Sequence, residues 1–227
     1  MLDKRYSEAK QFEKMSDAEK HQYFMACNLY YLCRKAPIII DCKPMDFISH
    51  PYERTILEDV SDDQTWQKSA QMGASLMAIL KSLHSAYYKL PHGVLYLIPT
   101  KTDVIDFSKK KFSKVLDEND LLRGWISDTD SANLKRVGNS YILFRGMQST
   151  VGLKVQDVDM LVYDEIEEAT ETAISLAEKR VDHSEYKWRL RLSVPSDNDV
   201  GINSYFMQSD QRYWLIKCKG CGFDVCM

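Results

Sequence analysis

The chain has 227 residues, 44% apolar and 28% charged, a composition that fits one large α/β domain or one domain with a small appendage. Its net charge of −3 gives no overall basic field that would indicate a nucleic-acid-binding protein, and its apolar runs are too short to span a bilayer. The N-terminus has no signal-peptide pattern and the six cysteines form no secreted disulfide framework, so we expect a protein of a reducing cytosol.

The first predicted elements are helical. Ser16 and Glu19 have the spacing of a capping box, in which each side chain binds the other residue's free helix amide. Apolar residues at three- and four-residue steps continue this helix to about Arg34. A second, short helix is predicted over Tyr52–Val60, after a connector that contains prolines. We assign residues 1–45 to a helical N-terminal appendage.

Downstream, predicted strands alternate with predicted helices, which is typical of a mainly parallel sheet with helices on its faces. The predicted strands are Thr65–Lys68, Val94–Ile98, Ser140–Arg145, Met160–Tyr163, Trp188–Val194 and Tyr213–Lys217. The predicted helices are Ser75–Lys89, Thr102–Leu116 and Thr170–Val181. We assign residues 46–217 to this α/β domain, and expect its chemistry at the carboxyl ends of the strands.

The first polar cluster follows the first of these strands and partly matches the phosphate-loop pattern G-x-x-x-x-G-K-S/T. Gly73 and Ser75 fit the second glycine and the hydroxyl, whereas Lys68 stands at the first glycine and Ala74 at the lysine. Amides at the helix start would still face phosphates, and Ser75 would still bind magnesium. The predicted loop comprises Lys68, Ser69, Ala70, Gln71, Met72, Gly73, Ala74 and Ser75. The alternative is an ordinary strand–loop–helix turn.

Two further clusters follow later strands in the same chain order. Asp164 and Glu165 end one strand; in an ATPase the aspartate would hold magnesium and the glutamate would polarise the attacking water. The alternative is an acidic helix start favoured by the helix dipole. Ser193 and Ser196 end the next strand and would sense the γ-phosphate, or would simply terminate the strand. Three such clusters, each at a strand end, favour a nucleotide site.

These residues resemble one known family, the large subunit of tailed-bacteriophage terminase. The nearest branch has the phosphate loop K-S-A-Q/R-x-G-x-S, which Lys68–Ser75 match, including the lysine at the front. Further matching segments are Pro99-Thr100, Phe144–Gly146, Val158-Asp159, Ala177–Arg180, Ser193–Ser196 and Ser209–Arg212. The resemblance extends from about Ile38 to Cys221 and implies a P-loop NTPase core of the ASCE/RecA-like kind.

The resemblance also implies a function. It predicts an ATPase that uses ATP and Mg²⁺ to drive double-stranded DNA into a procapsid, with the terminase small subunit and the portal as partners. It predicts a homo-oligomeric ring when active, or a monomer in isolation, in the cytoplasm of the infected bacterial host. The family's nuclease domain is expected to be missing, because the chain stops at Met227.

The sequence departs from the family at two positions. Family members read adenine with a glutamine after an aromatic residue; here Tyr52 would stack near the base, and Glu53 stands in place of the glutamine. Lys154 stands where the family has an arginine that a neighbouring subunit donates, and a lysine lacks the bidentate fork. Arg145 and Arg180 are the alternatives, and each of the three is otherwise a solvated surface charge.

The C-terminal cysteines and one basic run allow further hypotheses. Cys218 and Cys221 resemble half of a zinc ribbon in residues 218–227; with Cys226 as a third ligand, a zinc site needs a fourth from a longer chain. The basic run of Lys109, Lys110, Lys111 and Lys114 would contact DNA phosphates or form a solvated face.

Two other functions remain open. One is a helicase-type ATPase, which would need a second motor domain. The other is a nucleotide-binding but non-catalytic assembly module, which Ala74 and Glu53 favour.

Overall fold

The computed structural model describes residues 12–148, 150, 152–153 and 157–226. Its strands are β1 (Ile39–Ile40), β2 (Lys43–Pro44), β3 (Asp63–Gln67), β4 (Val94–Ile98), β5 (Ile126–Ser131), β6 (Leu134–Val137), β7 (Ser140–Gly146), β8 (Met160–Asp164), β9 (Trp188–Ser193), β10 (Leu215–Lys217) and β11 (Asp224–Cys226). Its α-helices are α1 (Asp17–Cys27), α2 (Leu29–Lys35), α3 (Pro51–Glu58), α4 (Ala74–Tyr88), α5 (Lys101–Asp106), α6 (Ser113–Asp117), α7 (Asp120–Arg123), α8 (Glu171–Glu178) and α9 (Gly201–Met207). A π-helix spans Phe107–Phe112 and a 3₁₀ helix spans Ile166–Glu168.

A seven-stranded sheet with the order β3-β9-β8-β4-β7-β6-β5 forms the centre of the fold. Five neighbouring strands run parallel, in the order β3, β9, β8, β4 and β7. Strands β6 and β5 add an antiparallel edge beside β7. This arrangement confirms the predicted α/β fold with a mainly parallel sheet. Strand β9 lies between β3 and β8, so the three predicted polar clusters end neighbouring strands at the same edge of the sheet.

The apolar core lies on both faces of this sheet. On β4, Val94, Tyr96 and Ile98 pack into one core with helix α4, and Leu95 and Leu97 pack into a second core with helix α8. All five residues are buried, which is why the strand has no polar alternation. Each such aliphatic side chain contributes about 1.5–3 kcal/mol by its burial.

Several predicted elements differ in detail from the structure. The Ser16–Glu19 capping box is confirmed, but the helix breaks at Asn28, whose side chain accepts from the Tyr31 amide and starts α2. The predicted Thr102–Leu116 helix contains the π-helical segment. The antiparallel strands β5 and β6 and helix α9 were not predicted. The predicted strand at Tyr213–Lys217 is β10, which pairs with β11 in a separate hairpin instead of joining the parallel sheet.

The start of β8 is fixed by a buried carboxylate. Asp159, 1% exposed, accepts hydrogen bonds from the His92 amide (2.6 Å) and the Ser184 hydroxyl (2.6 Å). We expect Asp159→Asn to lower the free energy of unfolding by about 1–3 kcal/mol, because at least one buried donor loses its acceptor. Urea denaturation monitored by circular dichroism would measure this change; an unchanged midpoint would contradict it.

Within the described part of the chain, none of the helices combines the length and the apolar character that crossing a membrane requires.

Candidate functional site

The predicted phosphate loop connects the end of β3 to the start of α4. Gln71 (φ +61°) and Gly73 (φ +70°) are both left-handed, and Gly73 is the N-cap of α4. The free amides of that helix start form an anion-binding end, because four N–H groups there lack helical partners. Lys68 enters the loop directly from β3, and its amide donates to the Ser193 carbonyl at 3.1 Å. The loop is therefore anchored to the strand that carries the third predicted cluster.

Ser75 and Asp164 meet beneath this loop. The Ser75 hydroxyl donates to Asp164 Oδ1 at 3.1 Å, and the Tyr96 hydroxyl donates to Oδ2 at 2.9 Å. Asp164 is only 4% exposed, and this burial raises the pKa of its carboxyl, although the hydrogen bonds from Tyr96 and Ser75 oppose the shift. A hydroxyl and a carboxylate are the oxygen ligands that Mg²⁺ takes beside phosphates.

No larger metal cluster is present among the described residues, where no group of three or more His, Cys, Asp or Glu side chains is placed to hold a metal ion. The Ser75–Asp164 pair fits an ion whose other ligands are phosphate oxygens and water. Tyr96 was missed by the sequence analysis, because a tyrosine inside an apolar strand gives no sign of where its hydroxyl points.

Glu165 links the other two clusters. Lys68 Nζ donates to Glu165 Oε1 at 3.0 Å, and the Ser193 hydroxyl donates to Oε2 at 3.2 Å. Glu165 has φ +65°, a left-handed conformation that is strained for a non-glycine residue and that turns its chain out of β8. The lysine is 12% exposed and the glutamate 41%, so the carboxylate faces solvent across the loop. Lys68, Glu165 and Ser193 therefore form one contact group.

Ser196 lies outside this group and binds a different carboxylate. Its hydroxyl donates to Glu167 Oε2 at 2.7 Å, and the Ile202 amide donates to Glu167 Oε1 at 2.8 Å. Glu167 was not among the predicted site residues, because an acidic residue after Asp-Glu resembles an ordinary helix start.

A cleft of about 930 Å³ opens beside the phosphate loop, along the edge strand β3. Its walls include Tyr52, Met72, Phe206 and Trp214. The Tyr52 hydroxyl donates to the Met72 carbonyl at 3.2 Å, and its ring lies edge-on to Trp214 at 6.4 Å between centroids. Two aromatic rings beside a phosphate loop are suited to a flat heterocyclic base. Trp214 was not predicted, since nothing in the sequence places it near Tyr52.

Glu53 lies away from the walls of this cleft. It is buried behind the loop, where its Oε1 would be 3.5 Å from a Cβ at Gly73. Burial raises the pKa of the Glu53 carboxyl, so its neutral form is favoured more than in water. Its predicted role at the base stays a prediction.

The predicted basic residues have different surroundings. Lys154 lies outside the described residues. The Arg145 guanidinium donates to the carbonyls of Phe144 (2.7 Å) and Asn133 (3.1 Å), and Arg180 is 3.7 Å from Asp157. In the basic run, Lys110 pairs with Asp106, whereas Lys111 lies over the Phe107 ring. The identity of a basic residue donated between subunits remains a prediction.

Cys218 and Cys221 lie in the turn of the β10–β11 hairpin. The backbone amides of Cys221 and Gly220 lower the pKa of the Cys218 thiol, and the Cys221 side chain adds to the effect. The Cys226 side chain is outside the described part of the structure. The predicted boundary after Lys217 falls inside this hairpin, and the zinc hypothesis stays a prediction.

Comparison with known proteins gives a family match. Residues 43–225 match the family described as "Phage terminase large subunit gpA, ATPase domain". Comparison with curated protein sequences finds no match.

Solved structures resemble the fold. The large terminase of bacteriophage HK97 aligns with a TM-score of 0.68 at 12% identity, over 81% of this chain and 40% of that one. The large terminase ATPase domain of Thermus phage P74-26 aligns with a TM-score of 0.58 at 13% identity, over 92% of this chain and 80% of that one. The chain thus spans 40% of the HK97 protein that it matches. At these identities the likeness concerns the fold alone, and it confirms the predicted α/β fold with a mainly parallel sheet flanked by helices.

Proposed function

Because the chain belongs to the family of phage terminase large subunit ATPase domains, we propose that it hydrolyses ATP in a magnesium-dependent reaction that drives double-stranded DNA into a procapsid. One observation carries this proposal: Lys68, Glu165 and Ser193 form a contact group directly beside the Ser75–Asp164 pair. One edge of the sheet therefore brings together the phosphate-binding start of α4, the candidate magnesium ligands and a candidate general base.

The chain's own groups divide the work of phosphoryl transfer. The amides at the start of α4 bind the phosphates, while Lys68 neutralises their charge from the front of the loop. Ser75 and Asp164 would hold Mg²⁺, which supplies charge neutralisation at the phosphate oxygens. Tyr96 keeps Asp164 oriented toward Ser75 by its hydrogen bond.

Glu165 acts as the general base in this proposal. Its partly exposed carboxylate would accept a proton from the water that attacks the γ-phosphate. Lys68 and Ser193 bind one carboxylate oxygen each, so both fix the orientation of the base. Ser193 and Ser196, at the end of β9, would respond to the loss of the γ-phosphate. Tyr52 and the cleft beside it would take the adenine.

The wider assembly follows from the family. We propose double-stranded DNA, the terminase small subunit and the portal of the procapsid as partners, and a homo-oligomeric ring as the active form in the cytoplasm of the infected host. We assign the motor to residues 46–217, with a helical appendage in 1–45 and a cysteine-rich segment in 218–227.

The test is phosphate release from ATP as magnesium is titrated, at high protein concentration. We expect Lys68→Ala to lower the rate by about 10²–10³-fold, because the loop loses its one cationic side chain, which in the proposed mechanism neutralises the phosphates. Lys179→Ala, which removes an exposed lysine at the end of α8, is the matched control and should leave the rate unchanged. Release that needs no magnesium, or that survives in Lys68→Ala, would refute the proposal.

A further inference from the structure

Glu167 holds two points of the segment that follows β9. Its Oε2 accepts from the Ser196 hydroxyl at 2.7 Å and its Oε1 accepts from the Ile202 amide at 2.8 Å. Gly201 between them has φ +51°, and a Cβ there would overlap the Glu167 carboxylate. The absence of a side chain at Gly201 thus makes room for this carboxylate. One side chain two positions after the proposed base therefore fixes the whole turn from Ser196 to α9.

Helix α9 is also bound to the strand that leads into the phosphate loop. The Asn203 side-chain amide donates to Gln67 Oε1 at 3.0 Å, and Gln67 immediately precedes Lys68. Asn203 Oδ1 in turn accepts from the Asp199 amide at 2.8 Å. The first turn of α9 is therefore hydrogen-bonded to both sides of the site, to Glu167 after β8 and to Gln67 at the end of β3.

The other end of α9 forms a wall of the large cleft. The Phe206 ring packs edge-on against Tyr213 with 5.1 Å between centroids, and both rings line the cleft together with Trp214. A group that fills the cleft thus contacts a helix whose first turn is held by Glu167. The described contacts form an unbroken path from the cleft, through α9 and Glu167, to Ser196.

We propose that Glu167 is a positioning residue that couples occupancy of the cleft by the nucleoside part of ATP to the placement of Ser196 at the reacting phosphate. This inference rests on the proposed function. Binding energy from the non-reacting part of a substrate is available to orient catalytic groups, so truncated substrates lose turnover as well as affinity. Glu167 is the side chain through which this chain would use that energy.

The first experiment needs no hydrolysis. Hydrogen exchange of the amides in residues 196–202 is compared with a non-hydrolysable ATP analogue and with inorganic tripolyphosphate, both with magnesium. We expect the analogue to slow exchange at least about fivefold more than tripolyphosphate in the wild type, within the usual range for coupled sites. That difference should vanish in Glu167→Gln and persist in Glu168→Gln, an exposed neighbour in the same 3₁₀ helix.

The second experiment compares turnover of the two substrates. We expect Glu167→Gln to lower the ratio of kcat for ATP to kcat for tripolyphosphate at least about fivefold. Ser196→Ala should give a similar loss, and the double variant should lose no more, because both changes break one link. Ser196→Ala changes an exposed side chain and leaves the backbone and the Glu167 carboxylate in place, so it is the second variant should Glu167→Gln fold poorly.

If Glu167 only stabilised the turn, Glu167→Gln would lower the turnover of both substrates equally, and that result would overturn the inference. The two proposals fail differently. A wild type that hydrolyses neither substrate contradicts the ATPase proposal, and the exchange experiment then decides the coupling alone. A wild type in which neither ligand protects residues 196–202 overturns the coupling, whatever its turnover.

Discussion

Glu165→Gln is expected to lower ATP turnover by about 10²–10⁴-fold, the usual contribution of a general base, while magnesium-ATP still binds. Glutamine keeps the size of the side chain and an oxygen that accepts from Ser193, but it takes no proton from water. It also breaks the ion pair of Glu165 with Lys68, which leaves the lysine free for phosphate. Affinity for ATP should therefore be equal to or tighter than that of the wild type.

Single-turnover phosphate release measures the chemical step, and fluorescence of a labelled nucleotide measures binding. Glu168→Gln removes a carboxylate three residues further along and serves as the control with wild-type rates. Full turnover by Glu165→Gln would show that another group accepts the proton. Loss of nucleotide binding together with turnover would assign Glu165 to binding instead of catalysis.

Asp164→Asn is expected to have two opposite effects, a loss of activity and a gain of stability. Under the proposed function, the variant lacks one of the two side-chain ligands for magnesium. Metal-ion stabilisation of the transition state is worth several kcal/mol, so turnover should fall at least about a hundredfold. Burial raises the pKa of this carboxyl in the folded state. The folded protein therefore gains stability when the group is neutral, and loses it as pH rises through the folded-state pKa.

Thermal unfolding without nucleotide or metal measures the second effect. At neutral pH the unfolding midpoint of Asp164→Asn should exceed that of the wild type. The difference between the two midpoints should shrink as the pH is lowered toward 3.8, the ordinary pKa of aspartate. Asp159→Asn changes the other buried aspartate of the same region, at the opposite end of β8, and should be less stable without a specific loss of turnover. A lower midpoint for Asp164→Asn at neutral pH would show that its hydrogen bonds outweigh its burial.

Local patterns predicted the parts of the fold whose cause is local. Val94–Ile98 matches β4 at both ends, because an uninterrupted apolar run between polar turns has few alternatives. The parallel sheet followed from the alternation of strands and helices, and the loop, Asp164 and Glu165 followed from their positions at strand ends. The contact between Lys68 and Glu165 was not itself predicted. It follows from the parallel sheet, because parallel strands bring their carboxyl ends to one edge.

The features that the sequence did not reveal depend on distant partners. The break at Asn28 depends on a side-chain cap that competes with a continuous helical pattern. Tyr96 reads as a core residue until Asp164 is placed opposite its hydroxyl. Trp214 and Tyr52 lie far apart in sequence, so no local pattern predicts that their rings meet. The role of Glu167 depends on the turn at Gly201, so no local pattern predicts it either.

The order of the strands bears on how the site is made during synthesis. Strand β3, which carries the phosphate loop, lies at the edge of the sheet, and among the described residues it pairs only with β9. On a ribosome, β3 emerges before the other strands of the central sheet and β9 emerges last of them. Pairs so distant in sequence form slowly, because the intervening chain must first lose its conformational entropy.

A nascent chain that ends before β9 would therefore contain the whole phosphate-loop sequence without a place to bind nucleotide. Neither the Ser193 carbonyl that anchors the Lys68 amide nor the hydroxyl that orients Glu165 would yet exist. Under the proposed function, nucleotide binding would begin only when β9 has paired with β3 and β8, so an unfinished chain could not hydrolyse ATP.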